Sequence, residues 1–219
     1  MEKKFNKIFG FSKQAALVVI LLVAGVPLGY VAWRQLEIYK STLDVTQLIV
    51  APQEVTGKIV TLRKLKEEYF FDWHNMFSST VRKMLEYPDE ITLEYSITHL
   101  RHEMEKDLSR KILFYCIFDN KDKKLIGAIQ IREKNPDDPG QFSWWINESY
   151  WGGGRAREAF KLISNVYFRL TNAQSFSAHV RLWNKRSYEA LKKVGFKEIG
   201  FFYENRQPVR RMLEFSRPK

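Results

Sequence analysis

Hydrophobic and polar positions fall into three patterns along this chain, and each predicts a different kind of element. Ala15 to Trp33 is a 19-residue run without a charge. As a helix at about 1.5 Å per residue it would reach roughly 28 Å, close to the hydrocarbon thickness of a bilayer. Tyr30 and Trp33 stand where aromatic side chains favour the membrane interface, and Gly25, Pro27 and Gly29 are tolerated in a span. A cleaved signal peptide and a buried core helix are the alternatives. The run is long for a signal peptide, and Tyr30-Val31-Ala32 is a poor cleavage site. The expectation is a basic tail over 1–14, a single-pass transmembrane helix over 15–34, and a connector over 35–56 that is helical to Leu48 and ends near Pro52.

From residue 57 the periods shorten to those of a globular domain. Ile59 to Leu65 partly alternates and predicts a strand; Lys66 to Leu85 and Leu93 to Leu108 carry helical spacing, parted by Pro88-Asp89. Ile112 to Phe118 and Lys124 to Arg132 predict a hairpin about Asp119–Lys123, followed by a loop over Asn135–Gly140. A Trp-rich strand (Phe142 to Ile146) then leads through glycines to a long helix (Ala156 to Leu170). A strand (Phe176 to Leu182), a short helix carrying Ser187 and a final hairpin (Lys197 to Tyr203, Pro208 to Phe215) complete the chain. The predicted order is β-α-α-β-β-β-α-β-α-β-β, an α/β class.

Composition narrows the picture. Of 219 residues, 45% are hydrophobic and 15% aromatic, enough for one domain with a full core. Cys116 is the single cysteine, so no intrachain disulfide exists, and its apolar strand predicts a packing role. The net charge of +11 is placed unevenly. Residues 57–154 hold 15 Lys/Arg against 16 Asp/Glu, whereas residues 155–219 hold 15 against 5. No recognition helix, zinc spacing or aromatic RNA-binding signature points to nucleic acid. An anionic small molecule, anionic lipid or plain solvent remains for the basic half.

That basic half begins at Tyr150-Trp-Gly-Gly-Gly-Arg-Ala-Arg-Glu-Ala-Phe160. Glycines between a strand and a helix let the backbone turn sharply beside a ligand, while the helix start offers unpaired N–H groups and a partial positive charge. That combination suits a diphosphate. The spacing is neither the dinucleotide fingerprint nor a P-loop. A second segment, Asn184-Lys-Arg-Ser-Tyr-Glu-Ala-Leu-Lys-Lys-Val-Gly-Phe196, places an Asn at a strand end before a short helix. Together the segments resemble the acetyl-CoA site of the GNAT acyltransferase superfamily, nearest its ribosomal-protein N-terminal acetyltransferase branch. The likeness rests on Gly152, Gly154, Ala156, Glu158 and Ala159, then Asn184, Ser187, Gly195 and Phe196, with Thr61–Leu65 similar to the family's first strand.

The resemblance covers residues 57–219 and implies a mixed twisted sheet flanked by helices. It implies acetyl-CoA as acyl donor and a primary amine, a peptide α-amine or an aminosugar, as acceptor. Cofactor binding is expected at the backbone of Trp145, Ile146 and Asn147, at Gly152, Gly153, Gly154, Arg155, Ala156 and Arg157, and at Asn184 and Ser187. Transfer to an amine needs an oriented thioester, a neutral amine, an oxyanion donor and a proton for the leaving thiolate. Glu148 is the candidate general base, against a plain loop carboxylate. Many relatives place a Tyr seven residues after the Asn; Leu191 stands there, leaving Ser187 and Tyr188 as catalytic candidates by proximity. His99-x-x-His102-Glu103 puts two imidazoles on one helical face but lacks a third ligand at a familiar spacing.

The reading is therefore a membrane-anchored, single-pass N-acetyltransferase whose partners are a CoA thioester, an amine and the lipid bilayer. Its rival is a non-catalytic GNAT-fold subunit of a membrane protein complex, suggested by the absent Tyr and by Trp151 where Gln or Arg is common in the superfamily. Lys3, Lys4, Lys7 and Lys13 before the span, against Arg34 and Lys40 after it, favour a cytoplasmic N-terminus and a translocated domain. The location of acetyl-CoA favours the opposite, and the side of the domain stays open.

Overall fold

The computed structural model describes residues 51–108, 112–132 and 140–218. The tail, the span at 15–34, most of the connector and most of the 135–140 loop lie outside these residues. Among the described residues no helix is long and apolar enough to cross a membrane.

Eight strands form one sheet: β1 (Glu54–Thr56), β2 (Val60–Arg63), β3 (Ile112–Asp119), β4 (Leu125–Arg132), β5 (Gln141–Ile146), β6 (Ser175–Arg181), β7 (Lys197–Glu204) and β8 (Gln207–Ser216). Their spatial order is β1-β2-β3-β4-β5-β6-β8-β7. All neighbours are antiparallel except β5 with β6. Every residue of β3 is buried, as its unbroken apolar run demands of a strand covered on both faces. The helices are α1 (Phe70–Met76), α2 (Ser79–Leu85), α3 (Leu93–Leu108), α4 (Arg155–Leu170) and α5 (Lys185–Lys193).

The mixed sheet flanked by helices expected from the sequence is observed, with two differences. Glu54–Thr56, read as connector, pairs with β2 and forms the sheet edge. The single helix expected over Lys66–Leu85 is a 3-10 turn (Glu67–Tyr69) followed by α1 and α2. Ser78 causes the break: its backbone is extended, and its Oγ accepts from Val81 N–H at 3.2 Å as the N-cap of α2. Glu86 closes α2 in the left-handed conformation, φ 62°.

Two cores lie on opposite faces of the sheet. On one face Phe160, Ile163 and Tyr167 of α4, spaced at three and four residues, pack on Tyr115, Ile129, Phe142 and Phe176. On the other, Phe70 and Trp73 of α1, Phe77 at its C-cap, Val81 of α2 and Leu100 of α3 pack on Phe114, Cys116 and Ala128. Cys116 is fully buried, and burial pushes its thiol well above the ordinary range, which fits the packing role.

Glu158 ties the α4 face together. Its carboxylate accepts from three consecutive amides, Lys58 N–H at 2.9 Å, Ile59 N–H at 2.6 Å and Val60 N–H at 2.7 Å. Gly57 must be glycine for this clasp, because a Cβ there would stand 2.5 Å from the Glu158 Oε2. The Glu of the glycine-turn motif thus fixes where β2 meets α4.

Candidate active site

β5 and β6 run parallel but share one registered pair, Gln141 with Ser177, where Ser177 N–H donates to Gly140 O at 2.8 Å. Beyond that pair the strands part and leave a wedge in the sheet. β5 stays paired to β4 through Ile146, and Asn147 N–H donates to Ile126 O at 2.8 Å. Residues of an antiparallel ladder direct their N–H and C=O alternately to either side. Trp145 and Asn147 therefore face β4, while Trp144 and Ile146 turn their amides to the wedge. Trp151 Nε1 donates to Ile146 O at 2.7 Å, which agrees with this phase.

This corrects the expectation for β5. Of the backbones of Trp145, Ile146 and Asn147, Ile146 alone faces the wedge, and Trp144 is its companion. Trp145 contributes its ring to the cleft wall. The Asn147 side chain is a stitch: Nδ2 donates to Met76 O at 2.9 Å and Oδ1 accepts from Ser149 N–H at 3.0 Å.

At the wedge mouth Gly152, Gly153 and Gly154 take φ of 88°, 61° and 80°, a left-handed run that other residues resist. Gly154 is the N-cap of α4 and no side chain caps that helix; Arg155 N–H donates to Gly152 O at 3.4 Å, which leaves Ala156 and Arg157 as the amides of the first turn open to a ligand. A Cβ on Gly152 would meet nothing within 4 Å, so the space beside the turn is open. Trp144, Trp145, Ile146, Gly152, Ala156, Asn184 and Ser187 line a single cavity of about 150 Å³ with this turn. The structure thus brings Trp145, Ile146, Gly152, Ala156, Asn184 and Ser187 together around one cavity, whereas Asn147, Glu148, Gly153, Gly154, Arg155, Arg157 and Tyr188 stand outside its lining.

The arginines divide. Arg155 Nε donates to the Asp119 Oδ2 at 2.5 Å, and Asp119 is 2% exposed. Burial raises the Asp119 carboxyl, but Arg155 and the amides of Lys121 and Asp122 outweigh it and hold the group below the usual carboxylate range. Arg155, expected to meet phosphate, instead fastens the glycine turn to the β3–β4 turn. Arg157 is exposed in the first turn of α4, and Arg186 lies over the Trp151 ring with its guanidinium 3.7 Å from the centroid. No ion pair is formed by either among the described residues.

Asn184 caps α5, its Oδ1 accepting from Ser187 N–H at 3.1 Å. Ser187 lines the cavity; Tyr188 does not, because its ring packs on the α4-side core beneath Arg211, whose guanidinium is 4.5 Å away. Glu148 opens a 3-10 turn (Glu148–Tyr150) after β5, where its Oε2 accepts from Ser78 Oγ at 2.5 Å. Burial raises its pKa, but the hydrogen bonds from Ser78, its own amide and Thr80 prevail and leave it below the ordinary value. It is therefore a carboxylate at neutral pH.

Sequence reasoning missed the α2 part of the wall, Val81, Met84 and Leu85, and also Tyr150. Tyr150 is a phenol in the cleft, but its hydroxyl donates to Asp122 Oδ2 at 2.7 Å, which pushes its pKa up to about 12. The apolar spacing of Val81, Met84 and Leu85 was visible, yet nothing in it told core from cleft. The three residues of the His99-x-x-His102-Glu103 constellation part company. His99 is half-buried beside Tyr87, His102 stands by Glu105 at 3.8 Å, and Glu103 is buried between Lys106 and Arg132.

A family model described as an acetyltransferase (GNAT) domain matches residues 60–197. The chain is 28% identical over 149 residues to YnaD of Bacillus subtilis, an uncharacterized N-acetyltransferase, covering 66% of this chain and 85% of that one. Solved structures repeat the fold. A GNAT-family acetyltransferase from Bacillus anthracis is similar at TM-score 0.63 and 18% identity, over 74% of this chain and 98% of that one. The Salmonella typhimurium acetyl transferase that modifies the N-terminal serine of ribosomal protein L7/L12 gives 0.65 at 16%, over 77% and 99%. Spermidine N-acetyltransferase from Vibrio cholerae, solved with CoA and spermine, gives 0.61 at 18%, over 73% and 96%.

Proposed function

The chain belongs to the GNAT acetyltransferase family, and from that premise we propose that it is a membrane-anchored enzyme moving the acetyl group of acetyl-CoA to a primary amine. One observation supports the placement of the donor: β5 and β6 part beside a cavity lined by Gly152, the first of three left-handed glycines, and by Ala156 in the first turn of α4. An uncapped helix start flanked by Arg157 and Arg186 suits a diphosphate, and the exposed β5 edge suits an amide-bearing arm, so the residues present fit acetyl-CoA.

When bound, acetyl-CoA supplies an activated thioester carbonyl. The Ile146 amide on the open edge is the donor placed to stabilise charge on that carbonyl oxygen. Trp144 and Trp145 exclude water from the wedge. Glu148, ionised and fixed by Ser78, is the carboxylate to take the amine proton, directly or through water. The amine nitrogen bonds to the acetyl carbon, the carbon–sulfur bond breaks, and the thiolate leaves and takes up a proton. Ser187 is the hydroxyl in the cavity wall on the α5 side, and its role is to orient the donor arm or supply that proton.

The anchoring part of the proposal rests on the uncharged run Ala15 to Trp33 and its interfacial aromatics. Titration calorimetry of the detergent-solubilised full chain with acetyl-CoA tests the donor site, with a saturable heat expected. No heat overturns the assignment. Carbonate extraction tests the anchor: the protein should stay with membranes, and its release would remove the span from the proposal.

A further inference from the structure

A second cavity, of about 180 Å³, borders the same wedge where the end of α2 stands over β5 and β6. It shares Met84, Leu85, Trp144, Asn184 and Ser187 with the cavity beside the glycine turn, so the two meet at the gap between the strands. Their walls differ in charge. Arg186 is the charged residue of the first, whereas Glu86, Arg181 and Arg210 line the second.

Arg181 and Arg210 are a registered pair across β6 and β8, so their side chains stand beside each other on one face of the sheet. That face is turned away from α4, because Ala178 and Val180, which alternate with His179 and Arg181, are buried in the α4-side core. Like charges directly opposite each other in a sheet are destabilising, so the pair needs a counterion. Glu86 is one: its Oε1 lies 2.5 Å from Arg181 Nε, and its Oε2 accepts from Arg210 Nη2 at 2.6 Å. Glu86 does this from a left-handed backbone, φ 62°, a conformation that a residue with a side chain holds at a cost of about 1–3 kcal/mol.

One carboxylate does not balance two guanidinium groups. Glu204 approaches Arg181 Nη1 only to 3.7 Å, beyond hydrogen-bond range, and its own side chain is half exposed. Counting lysine, arginine, aspartate and glutamate, the lining carries two positive charges and one negative. Neither arginine is sealed in, since the two side chains keep 22% and 31% of their surface open. Each guanidinium has five N–H donors in a planar fork, more than Glu86 can engage.

We propose that this cavity takes the acceptor, and that the acceptor is a small amine carrying an anionic group, a carboxylate or a phosphate. The Arg181–Arg210 pair holds the anion on the guanidinium edges that Glu86 leaves free, and the amine points through the gap to the acetyl carbon. The anion also offsets the repulsion within the pair. The space is larger than a cavity of about 150 Å³ that takes up benzene in another protein, so a short amino acid or an aminoalkyl phosphate fits. A polycation meets the excess positive charge instead. The inference rests on the acetyl-transfer reading above and narrows its amine.

The test is calorimetry on the full chain in detergent, first with acetyl-CoA, then on the CoA-saturated protein with two matched pairs of probes. Glycine is set against glycinamide, and O-phosphoethanolamine against ethanolamine. In at least one pair the anionic member should bind about tenfold or more tightly than its counterpart. A preference in the first pair alone identifies a carboxylate, and in the second alone a phosphate. The preference should shrink at least about twofold from low to high salt. Arg210→Gln should bring it to within about twofold of unity, and Arg210→Lys should keep part of it, as charge without the planar fork remains. Should Arg210→Gln fold poorly, the salt dependence of the unaltered chain still decides. Equal binding within both pairs, tighter binding of spermidine than of either anionic probe, a preference indifferent to salt, or an unchanged preference in Arg210→Gln overturns the proposal. An acetyl-CoA heat without an anion preference overturns this inference alone. No acetyl-CoA heat overturns the donor site beneath it, even where the anionic probes bind.

Discussion

On one side of β5 the cleft beside α4 and α5 offers main chain; on the other, a separate cavity beside α1 and α3 is walled by rings. The first wall comprises three left-handed glycines, the uncapped start of α4 and the open edge of Trp144 and Ile146. The second is Trp73, Phe77, Tyr87, His99 and Trp145, brought together from one end of the domain to its middle. Main chain can grip a phosphate or an amide with little dependence on side-chain identity. A wall of rings selects by shape and by the few polar atoms within it. The first arrangement suits a phosphate-bearing ligand of any side-chain surroundings; the second depends on the identity of each ring.

The strongest blow to this contrast would fall on the main-chain wall. Gly154→Val forces a branched side chain into φ 80°, with its Cβ 3.2 Å from Ile59 Cδ1, and should weaken acetyl-CoA binding by about 100-fold or more by calorimetry. A melting curve should show a cost of about 1–3 kcal/mol. Unimpaired binding would move the donor elsewhere. Glu148→Gln comes next: thiol release should fall about 10- to 100-fold at unchanged acetyl-CoA affinity. Unaltered turnover would reduce Glu148 to a stitch between β5 and α2.

Smaller effects sharpen the roles of the arginines. Arg157→Ala and Arg186→Ala should each weaken acetyl-CoA by about 3- to 10-fold at low salt and by less at high salt. Arg155→Gln should instead lower the melting temperature and spare affinity, because its partner is Asp119. Equal affinity losses for Arg155 and Arg157 would erase the distinction. Ser78→Ala is the mildest. Glu148 has a lowered folded pKa, so its ionisation is complete above the ordinary carboxylate value and is lost as pH falls through the lowered one. Removing the Ser78 hydroxyl leaves burial with less opposition and raises that pKa, so the acidic limb of the pH–rate profile should move to higher pH.

The same contrast explains what could be read beforehand. Glycine spacing before a helix is a local signal, because a left-handed turn constrains consecutive residues; the turn and α4 were legible for that reason, whereas Asn184 was expected as a cofactor contact and its side chain caps α5. The central strands followed from apolar runs such as Ile112 to Phe118. Pairing of charges is not local: Arg155 met Asp119 across 36 positions, and Glu158 met the amides of residues 58–60 across about a hundred. Ladder phase was also hidden, so which of Trp144 to Asn147 faces the wedge had to come from the bond between Asn147 and Ile126. The ring-lined cavity left no trace, since Trp73 and Gln130 converge only when α1 folds over β4.

The single rung between β5 and β6 makes the sheet a pair of plates. Seven registered positions join β3 to β4, whereas one joins β5 to β6. What presses the plates together is a cluster of phenylalanines, with Phe142 5.7 Å from Phe196 and Phe160 5.4 Å from Phe196. Hydrogen bonds resist rotation, but apolar contact is indifferent to small changes of angle. The joint rests on one backbone hydrogen bond, Ser177 N–H to Gly140 O, and otherwise on apolar adhesion, which slackens on cooling.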